Sequence, residues 1–320
     1  MTLSGKRIAR GNAAFSVFER ICITPGSTRA KVASEVGLSI ASVGNAVDRL
    51  IDEGLVSAYQ GKSLGGRPAE ILFPSRRSVF ITDVRGENAR AFCLDQTCGV
   101  LFFDERSFCS CADTADALRD LIGRFAESPE FSRDELFAVS FLSEGSPSVE
   151  PDVIQYAEKR LSPLFVKAFN SDLLSAEVTA SGARFDNAIF CSVCRDDVAV
   201  SSCKTRNGQI VFGEFSKLIS SYGSGFGRVF AACRDEKEAG EELSSALLNS
   251  VLIMSPDTVL IEIKGSGFDE KFGNYVKKSL SEKTPRAPEI KTFFRDEKAL
   301  RSRVLSLLRR FPFEKEGINS

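Results

Sequence analysis

The sequence contains no histidine among its 320 residues. This absence excludes Ser-His-Asp and Cys-His nucleophilic catalysis, histidine general bases and every zinc site that needs an imidazole ligand. No apolar run approaches the ~20 residues that a membrane-spanning helix needs. The start, Met1 to Arg10, is polar and basic and lacks the apolar segment of a signal peptide. We therefore expect neither a hydrolase or metalloenzyme of the usual kind nor a membrane partner.

Nine cysteines, an odd number, are scattered along the chain. Without a secretory segment, they predict reduced thiols in a cytoplasmic protein. Cys191, Cys194 and Cys203 could be proposed as metal ligands, but a zinc site needs four ligands at a recognisable spacing. Because Cys191 and Cys194 lie in a strand-like run, we expect small core residues there and neither a metal nor a cofactor.

The overall charge hides an asymmetry. The chain has 42 basic and 43 acidic side chains, a net charge of −1. Residues 1–77 contain 11 Lys and Arg against 6 Asp and Glu, a net charge of +5, whereas the remainder contains 31 against 37, a net charge of −6. A small basic part joined to a larger acidic one indicates that the basic part binds a polyanion.

The pattern within residues 1–77 predicts three helices and a hairpin. Apolar residues at helical spacing end at Pro25-Gly26, and a second short helix ends at Gly37. Ser39 can cap a third helix through its hydroxyl, and Gly54 ends that helix. Two β-like stretches follow, Leu55–Tyr59 and Ala69–Phe73, joined by a basic, glycine-containing connection. Helix, tight glycine turn, helix and hairpin together predict a winged helix-turn-helix.

We expect the third helix to lie in a DNA major groove. Asn45 can bond an adenine edge in bidentate fashion, and Arg67 at the wing tip suits a narrow minor groove. The predicted DNA-binding residues are Ser39, Ala41, Ser42, Asn45, Arg49, Lys62 and Arg67. The predicted phosphate contacts are Lys6, Arg7, Arg10, Arg29, Lys31 and Lys62. A protein-interaction module is the alternative interpretation of such a small helical unit.

From Ser78 onward, strand-like and helix-like segments alternate with an antiparallel start, which indicates an α/β fold. The predicted strands are Val79–Val84, Ala89–Leu94, Gly99–Phe103 and Leu136–Leu142, with a helix at Thr114–Ala126 before the last of them. The segment Gly65-Gly66-Arg67-Pro68-Ala69 and the stretch 81–90 that follows resemble the ROK family (repressor, open reading frame, kinase). Within it, the chain is similar to sugar-responsive repressors that fuse a winged helix-turn-helix to a sugar-kinase-like, actin-like domain. The resemblance implies a winged helix-turn-helix over 1–77, a first lobe over 78–165 joined by a closing helix at 298–311, and a second lobe over 166–297.

Departures from the family's motifs imply lost catalysis. In the phosphate-binding loop Asp83 and Gly86 remain, but Arg85 replaces a glycine and Glu87 replaces the threonine. A carboxylate at Glu87 would repel phosphate. Ser171 stands where the family has its catalytic aspartate. A later glycine turn reads Glu262-Ile263-Lys264-Gly265, and the family's histidine and cysteine zinc module is missing, together with most of a segment that carries sugar contacts.

These observations predict a sequence-specific DNA-binding transcriptional regulator, a repressor of carbohydrate-related genes. It would bind double-stranded DNA as a homodimer, with a shortened, catalytically dead ROK-like domain for dimerisation. There are two alternatives. The chain could be a ROK-type sugar kinase that uses ATP, or it could be a protein-interaction scaffold. Whether a sugar effector still binds stays open.

Overall fold

Two units make up the chain in the computed structural model. The first comprises Met1–Phe169 and Arg301–Ser320, and the second comprises Asn170–Leu300. The structure describes residues 3–61, 69–75, 77–110, 113–144, 149–194, 197–206, 209–214, 216–218, 225–265 and 267–318. Within these ranges, no helix combines the length and the apolar character that crossing a membrane requires.

The N-terminal part of the first unit contains three helices and a small antiparallel sheet. The helices are α1 (Leu3–Ile23), α2 (Arg29–Val36) and α3 (Ile40–Asp52). The strands are β1 (Ser27–Thr28), β2 (Val56–Gln60) and β3 (Glu70–Pro74), in the order β1-β3-β2. The two longer strands lie within one residue of their predicted positions, and α2 and α3 end within two residues of the glycines predicted to end them. The start of α1 at Leu3 was not predicted.

A short glycine turn joins α2 to α3. Gly37 adopts φ +69°, in the left-handed region that favours glycine, and so ends α2. The Ser39 hydroxyl accepts a hydrogen bond from the Ser42 backbone N–H at 3.1 Å and caps α3. The residues that α3 buries are Val43, Val47 and Leu50. The opposite face of the helix is therefore left to solvent.

The larger sheet of the first unit has five strands. They are β4 (Ser78–Arg85), β5 (Asn88–Leu94), β6 (Val100–Ser107), β7 (Leu136–Ser143) and β8 (Phe165–Asn170). Their order is β6-β5-β4-β7-β8, with the first three antiparallel and β7 parallel to β4. Helices α4 (Thr114–Glu127) and α5 (Pro151–Leu161) lie between strands in the chain and pack into the same apolar core.

The second unit repeats this strand order. Its helices are α6 (Ser171–Ser181), α7 (Phe226–Ala232), α8 (Glu236–Met254) and α9 (Lys271–Lys283). Its strands are β9 (Asn187–Val193), β10 (Val198–Arg206), β11 (Gln209–Phe212), β12 (Ser216–Lys217), β13 (Thr258–Ile263) and β14 (Glu289–Phe294). The sheet runs β11-β10-β9-β13-β14, with β13 parallel to β9 and β12 added on β10. Each sheet thus has three consecutive antiparallel strands extended by two later ones, in a mixed α/β fold.

The last helix, α10 (Glu297–Ile318), ties the N-terminal helices to the first unit's larger sheet. Its Phe313 ring lies 5.8 Å from Phe15 on α1, measured between centroids. Its Arg309 donates to Gln96 Oε1 at 3.2 Å, just after β5. The C-terminal end of the chain therefore packs on both parts of the first unit.

Candidate functional site

The exposed face of α3 brings together four of the predicted site residues. Ser39, Ala41, Ser42 and Asn45 are all exposed, and the Ser39 and Ser42 hydroxyl oxygens lie 2.9 Å apart. The serine hydroxyls and the Asn45 amide supply hydrogen-bond donors and acceptors, and Ala41 supplies a methyl group. Side chains of these types can contact the edges of bases.

Arg49 lies further along the same helix and has an internal partner. Its Nε donates to Glu53 Oε1 at 2.7 Å, one turn away. A ligand that recruits this guanidinium has to compete with that carboxylate. Since half-exposed ion pairs of this kind contribute only about 0.3–0.5 kcal/mol, the competition is weak.

Arg29, at the start of α2, is held by three acceptors. Its Nη2 lies 2.7 Å from Asp48 Oδ1, and its Nε donates to Glu70 Oε2 at 2.5 Å. Its Nη1 donates to the Gly44 backbone carbonyl on α3 at 3.1 Å. Burial alone would lower the pKa of Arg29, but Asp48 and Glu70 raise it above its ordinary value. This side chain therefore fixes α3 against α2 and β3.

Of the other residues predicted to contact phosphate, the structure describes the side chain of only one. Lys31 is exposed on α2. Lys6, Arg7 and Arg10 lie on the part of α1 where only the backbone is described. Lys62 and Arg67 lie outside the described residues.

In the second unit, Asp172 lies in a buried ionic cluster. Its Oδ1 accepts from Lys264 Nζ at 2.6 Å and from Arg295 Nη2 at 2.9 Å. Burial alone would raise the pKa of Asp172, but Lys264 and Arg295 outweigh it and hold the pKa below its ordinary value. A carboxylate with a lowered pKa is a weaker base, so this arrangement works against proton abstraction.

Glu262 completes the cluster from β13. It is fully buried, and its Oε2 lies 2.9 Å from Arg295 Nη2 and accepts from the Ser192 hydroxyl at 2.9 Å. The Ser175 hydroxyl donates to its Oε1. Two acids and two cations thus neutralise one another in the interior, which is how buried charges are tolerated.

The segment Asn170-Ser171-Asp172 carries other structural roles. Asn170 Oδ1 accepts from the Leu173 backbone N–H at 2.9 Å and caps α6. Ser171 is fully buried, and its hydroxyl has no hydrogen-bond partner among the described residues. Ser171 therefore offers neither access nor a charge to an external substrate.

A second buried carboxylate that forms ion pairs with arginines lies near the end of β4. Asp83 is buried, and its Oδ2 lies 2.6 Å from Arg85 Nη2 and 2.9 Å from Arg90 Nη2. Gly86 turns the chain toward β5 with φ +53°, and a Cβ built there would meet nothing within 4 Å. The turn is a hairpin that brings Arg85 and Arg90 onto one carboxylate.

The cysteines singled out in the sequence lie in packed surroundings. Cys191 is fully buried in the apolar core of the second unit, and burial raises the pKa of its thiol. Burial also raises the pKa of Cys203 to about 12. The Cys194 thiol donates to the Asp197 backbone carbonyl. Over the described ranges, no group of three or more His, Cys, Asp or Glu side chains is placed to hold a metal ion.

The second unit also contains a cavity of about 350 Å³ at the start of α8. Phe230, Phe268, Arg234 and Glu236 are among its lining residues. Glu236 Oε1 accepts from the Asp269 backbone N–H at 3.1 Å. Burial and the neighbouring Asp269 raise the pKa of Glu236. The cavity is large enough for a small molecule.

Three cationic residues have roles that the sequence did not reveal. Arg295 lies 123 residues from Asp172, and Lys264 lies 92 residues from it, so no local spacing predicts either contact. Arg29 was predicted as a phosphate contact, yet it is bonded to α3 and β3. For Lys264, the signal in the sequence was the stretch Glu262-Ile263-Lys264-Gly265, which departs from a glycine turn of the family that the sequence resembles.

Comparisons with known proteins give no family assignment. No family model matches the chain, and no curated protein matches it. Among solved structures, a ROK family transcriptional regulator described as a homologue of the E. coli MLC protein superposes with a TM-score of 0.60 at 13% identity, covering 98% of this chain and 100% of that one.

Two structures of proteins assigned as kinases have lower TM-scores. A Listeria monocytogenes protein assigned as an N-acetylmannosamine kinase has a TM-score of 0.50 at 13% identity, covering 74% of this chain and 99% of that one. A Cytophaga hutchinsonii protein assigned as a sugar kinase has a TM-score of 0.49 at 14% identity, covering 72% and 99%. At these identities the likeness concerns the fold alone, and over nearly the whole chain that fold is similar to the one of a ROK family regulator.

Proposed function

We propose that the chain is a sequence-specific DNA-binding transcriptional regulator with an N-terminal winged helix-turn-helix. The exposed face of α3 carries this proposal. The helix follows a glycine turn, buries one face and presents Ser39, Ser42 and Asn45 on the other. Recognition helices read base edges from such a face. The net charge of +5 on residues 1–77 supports attraction to the phosphate backbone.

We further propose that the chain acts as a homodimer in the cytoplasm, as a repressor of carbohydrate-related genes. Two copies of α3 would read a two-fold site, with half-sites about one helical turn or more apart. An effector would act only by binding the DNA-competent and DNA-incompetent states with different affinity. The cavity at the start of α8 offers room for a small molecule, and we assign no effector to it.

The test is the selection of bound duplexes from a random DNA library by the full-length protein, at low and moderate salt. We expect an enriched, two-fold motif and an affinity that falls steeply as salt rises, because phosphate contacts release counterions. Binding without enrichment would contradict sequence-specific reading. Absence of binding would favour the scaffold alternative, in which the acidic part recruits another protein.

We also propose that the kinase-like part is catalytically dead. Two observations support this: Asp172 is paired with Lys264 and Arg295, and Asp83 is paired with two arginines. Both carboxylates are buried and engaged by cations of the protein, which favours a structural role for each of them. We expect no hexose-dependent ATP turnover. Turnover that disappears in Ser171→Ala would contradict the proposal, because Ser171 occupies the position of the family's base.

A further inference from the structure

Ile40 is an apolar residue at the tip of a polar surface. It is the first residue of α3, and its side chain is 63% exposed. It follows the capping Ser39 directly and precedes the exposed Ala41. The N-terminal residues of a recognition helix are the ones that reach base edges. An isoleucine there leaves a large apolar surface in water unless a ligand covers it.

Exposure alone does not distinguish this residue, because single exposed apolar side chains are common. Ile23, at the end of α1, is 60% exposed. The difference is position: Ile40 is the first residue of α3, and its neighbours in the chain, Ser39, Ala41 and Ser42, are all exposed. In the major groove the apolar feature of the bases is the 5-methyl group of thymine. We propose that Ile40 contacts that methyl group in the bound duplex, an inference that rests on the proposed function.

The setting of Ile40 suits an apolar contact that selects sequence. The start of α3 is fixed by the Ser39 cap and by the hydrogen bond from Arg29 to the Gly44 carbonyl. A β-branched side chain in a helix strongly prefers one χ1 rotamer, so ordering it against DNA costs little entropy. Five residues further along, Asn45 is equipped to bond adenine. Together the two side chains predict A·T pairs within each half-site.

The experiment uses the duplex that the full-length protein selects. Each thymine is replaced in turn by uracil, which lacks only the methyl group, and dissociation constants are measured for wild type, Ile40→Ala and Ile23→Ala. We expect uracil at one position of the half-site to weaken wild-type binding about threefold to tenfold. Ile40→Ala should bind the thymine duplex more weakly and should not distinguish thymine from uracil there. Ile23→Ala, matched in residue type and exposure, should behave as wild type.

The outcomes separate this inference from the proposed function. If a motif is selected but no uracil substitution changes the dissociation constant of the wild type, the proposed methyl contact is wrong. The proposed function as a DNA-binding regulator is then unaffected. If Ile40→Ala still loses affinity on uracil at the sensitive position, another side chain reads the methyl, and the assignment to Ile40 is wrong. If no motif is selected at all, the proposed function fails and the inference fails with it.

Discussion

The exposed face of α3 and the ionic cluster around Asp172 use similar polar groups in opposite ways. On α3, Ser39, Ser42 and Asn45 stand in solvent, where a ligand can reach them. In the second unit, Asp172 and Glu262 are bonded to Lys264 and Arg295 in the interior. Ser39 and Ser42 bond to each other but remain exposed, whereas the carboxylates of Asp172 and Glu262 are buried together with their partners. This contrast supports the proposed recognition role of α3 and indicates a structural role for Asp172.

Asp172→Asn should give the largest effect. The substitution removes the carboxylate that Lys264 and Arg295 share, and it leaves buried positive charge poorly compensated. We expect the free energy of unfolding of the full chain, measured with urea, to fall by about 3–5 kcal/mol. The control is Glu241→Gln, which removes an exposed partner of Lys237 at 3.9 Å and should cost about 0–1 kcal/mol. Equal effects of the two substitutions would mean that Asp172 is not a buried structural anion.

The pH dependence of stability tests whether Asp172 is a buried anion in the folded chain. Because the pKa of Asp172 is lowered in the folded chain, its contribution is fully present above the ordinary carboxyl pKa of about 3.9. The contribution is lost as pH falls through the lower folded value. The difference in unfolding free energy between wild type and Asp172→Asn should therefore stay constant from about pH 7 to pH 5 and shrink below about pH 4. A difference that already shrinks above pH 5 would contradict a lowered pKa.

Local patterns in the sequence predicted part of the fold, mainly in the first unit. The end of α2 at Gly37 and the start of α3 after Ser39 follow from residues within a few positions of each boundary, so short-range signals suffice. The strands β4 to β7 were predicted for the same reason, from apolar runs between turns.

The ionic contacts could not be predicted from the sequence. Arg295 reaches Asp172 only because β14 pairs with β13 and thereby lies near α6, a consequence of sheet order and not of sequence spacing. Likewise, Arg29 meets Glu70 across 41 residues. In both cases an arginine is engaged by acids contributed by other elements. Net charge and exposure patterns do not reveal such pairing.

Asn45→Ala tests whether the exposed face of α3 reads bases. Removing the amide should abolish discrimination at one base pair of the selected motif, worth about 1–3 kcal/mol, and leave preference at the other positions. Competition binding against duplexes altered one base pair at a time measures this. The control is Ser34→Ala, an exposed substitution on α2. A uniform loss across all sequences would place Asn45 on phosphate instead of a base.

We expect the smallest effects on stability and binding from Arg29→Ala and Lys31→Ala, two substitutions on α2. Together they distinguish a residue that positions α3 from a residue that binds phosphate. Arg29 holds α3 through Asp48 and the Gly44 carbonyl, so its loss should lower the free energy of unfolding by about 1–2 kcal/mol. Lys31 is exposed, so its loss should change stability by less than about 0.5 kcal/mol. It should instead weaken binding to all sequences alike and reduce the slope of log affinity against log salt by about 1.

The same pair of variants decides between the two roles of Arg29. Urea unfolding and salt titrations of DNA binding are measured on both. If Arg29→Ala reduces the salt slope as Lys31→Ala does and leaves stability intact, Arg29 contacts phosphate, as its sequence position suggested. If stability falls and the slope is unchanged, the acids Asp48 and Glu70 keep this guanidinium inside the protein even when DNA is bound. We expect the second result, because DNA would have to displace two carboxylates and a backbone carbonyl to recruit one charge.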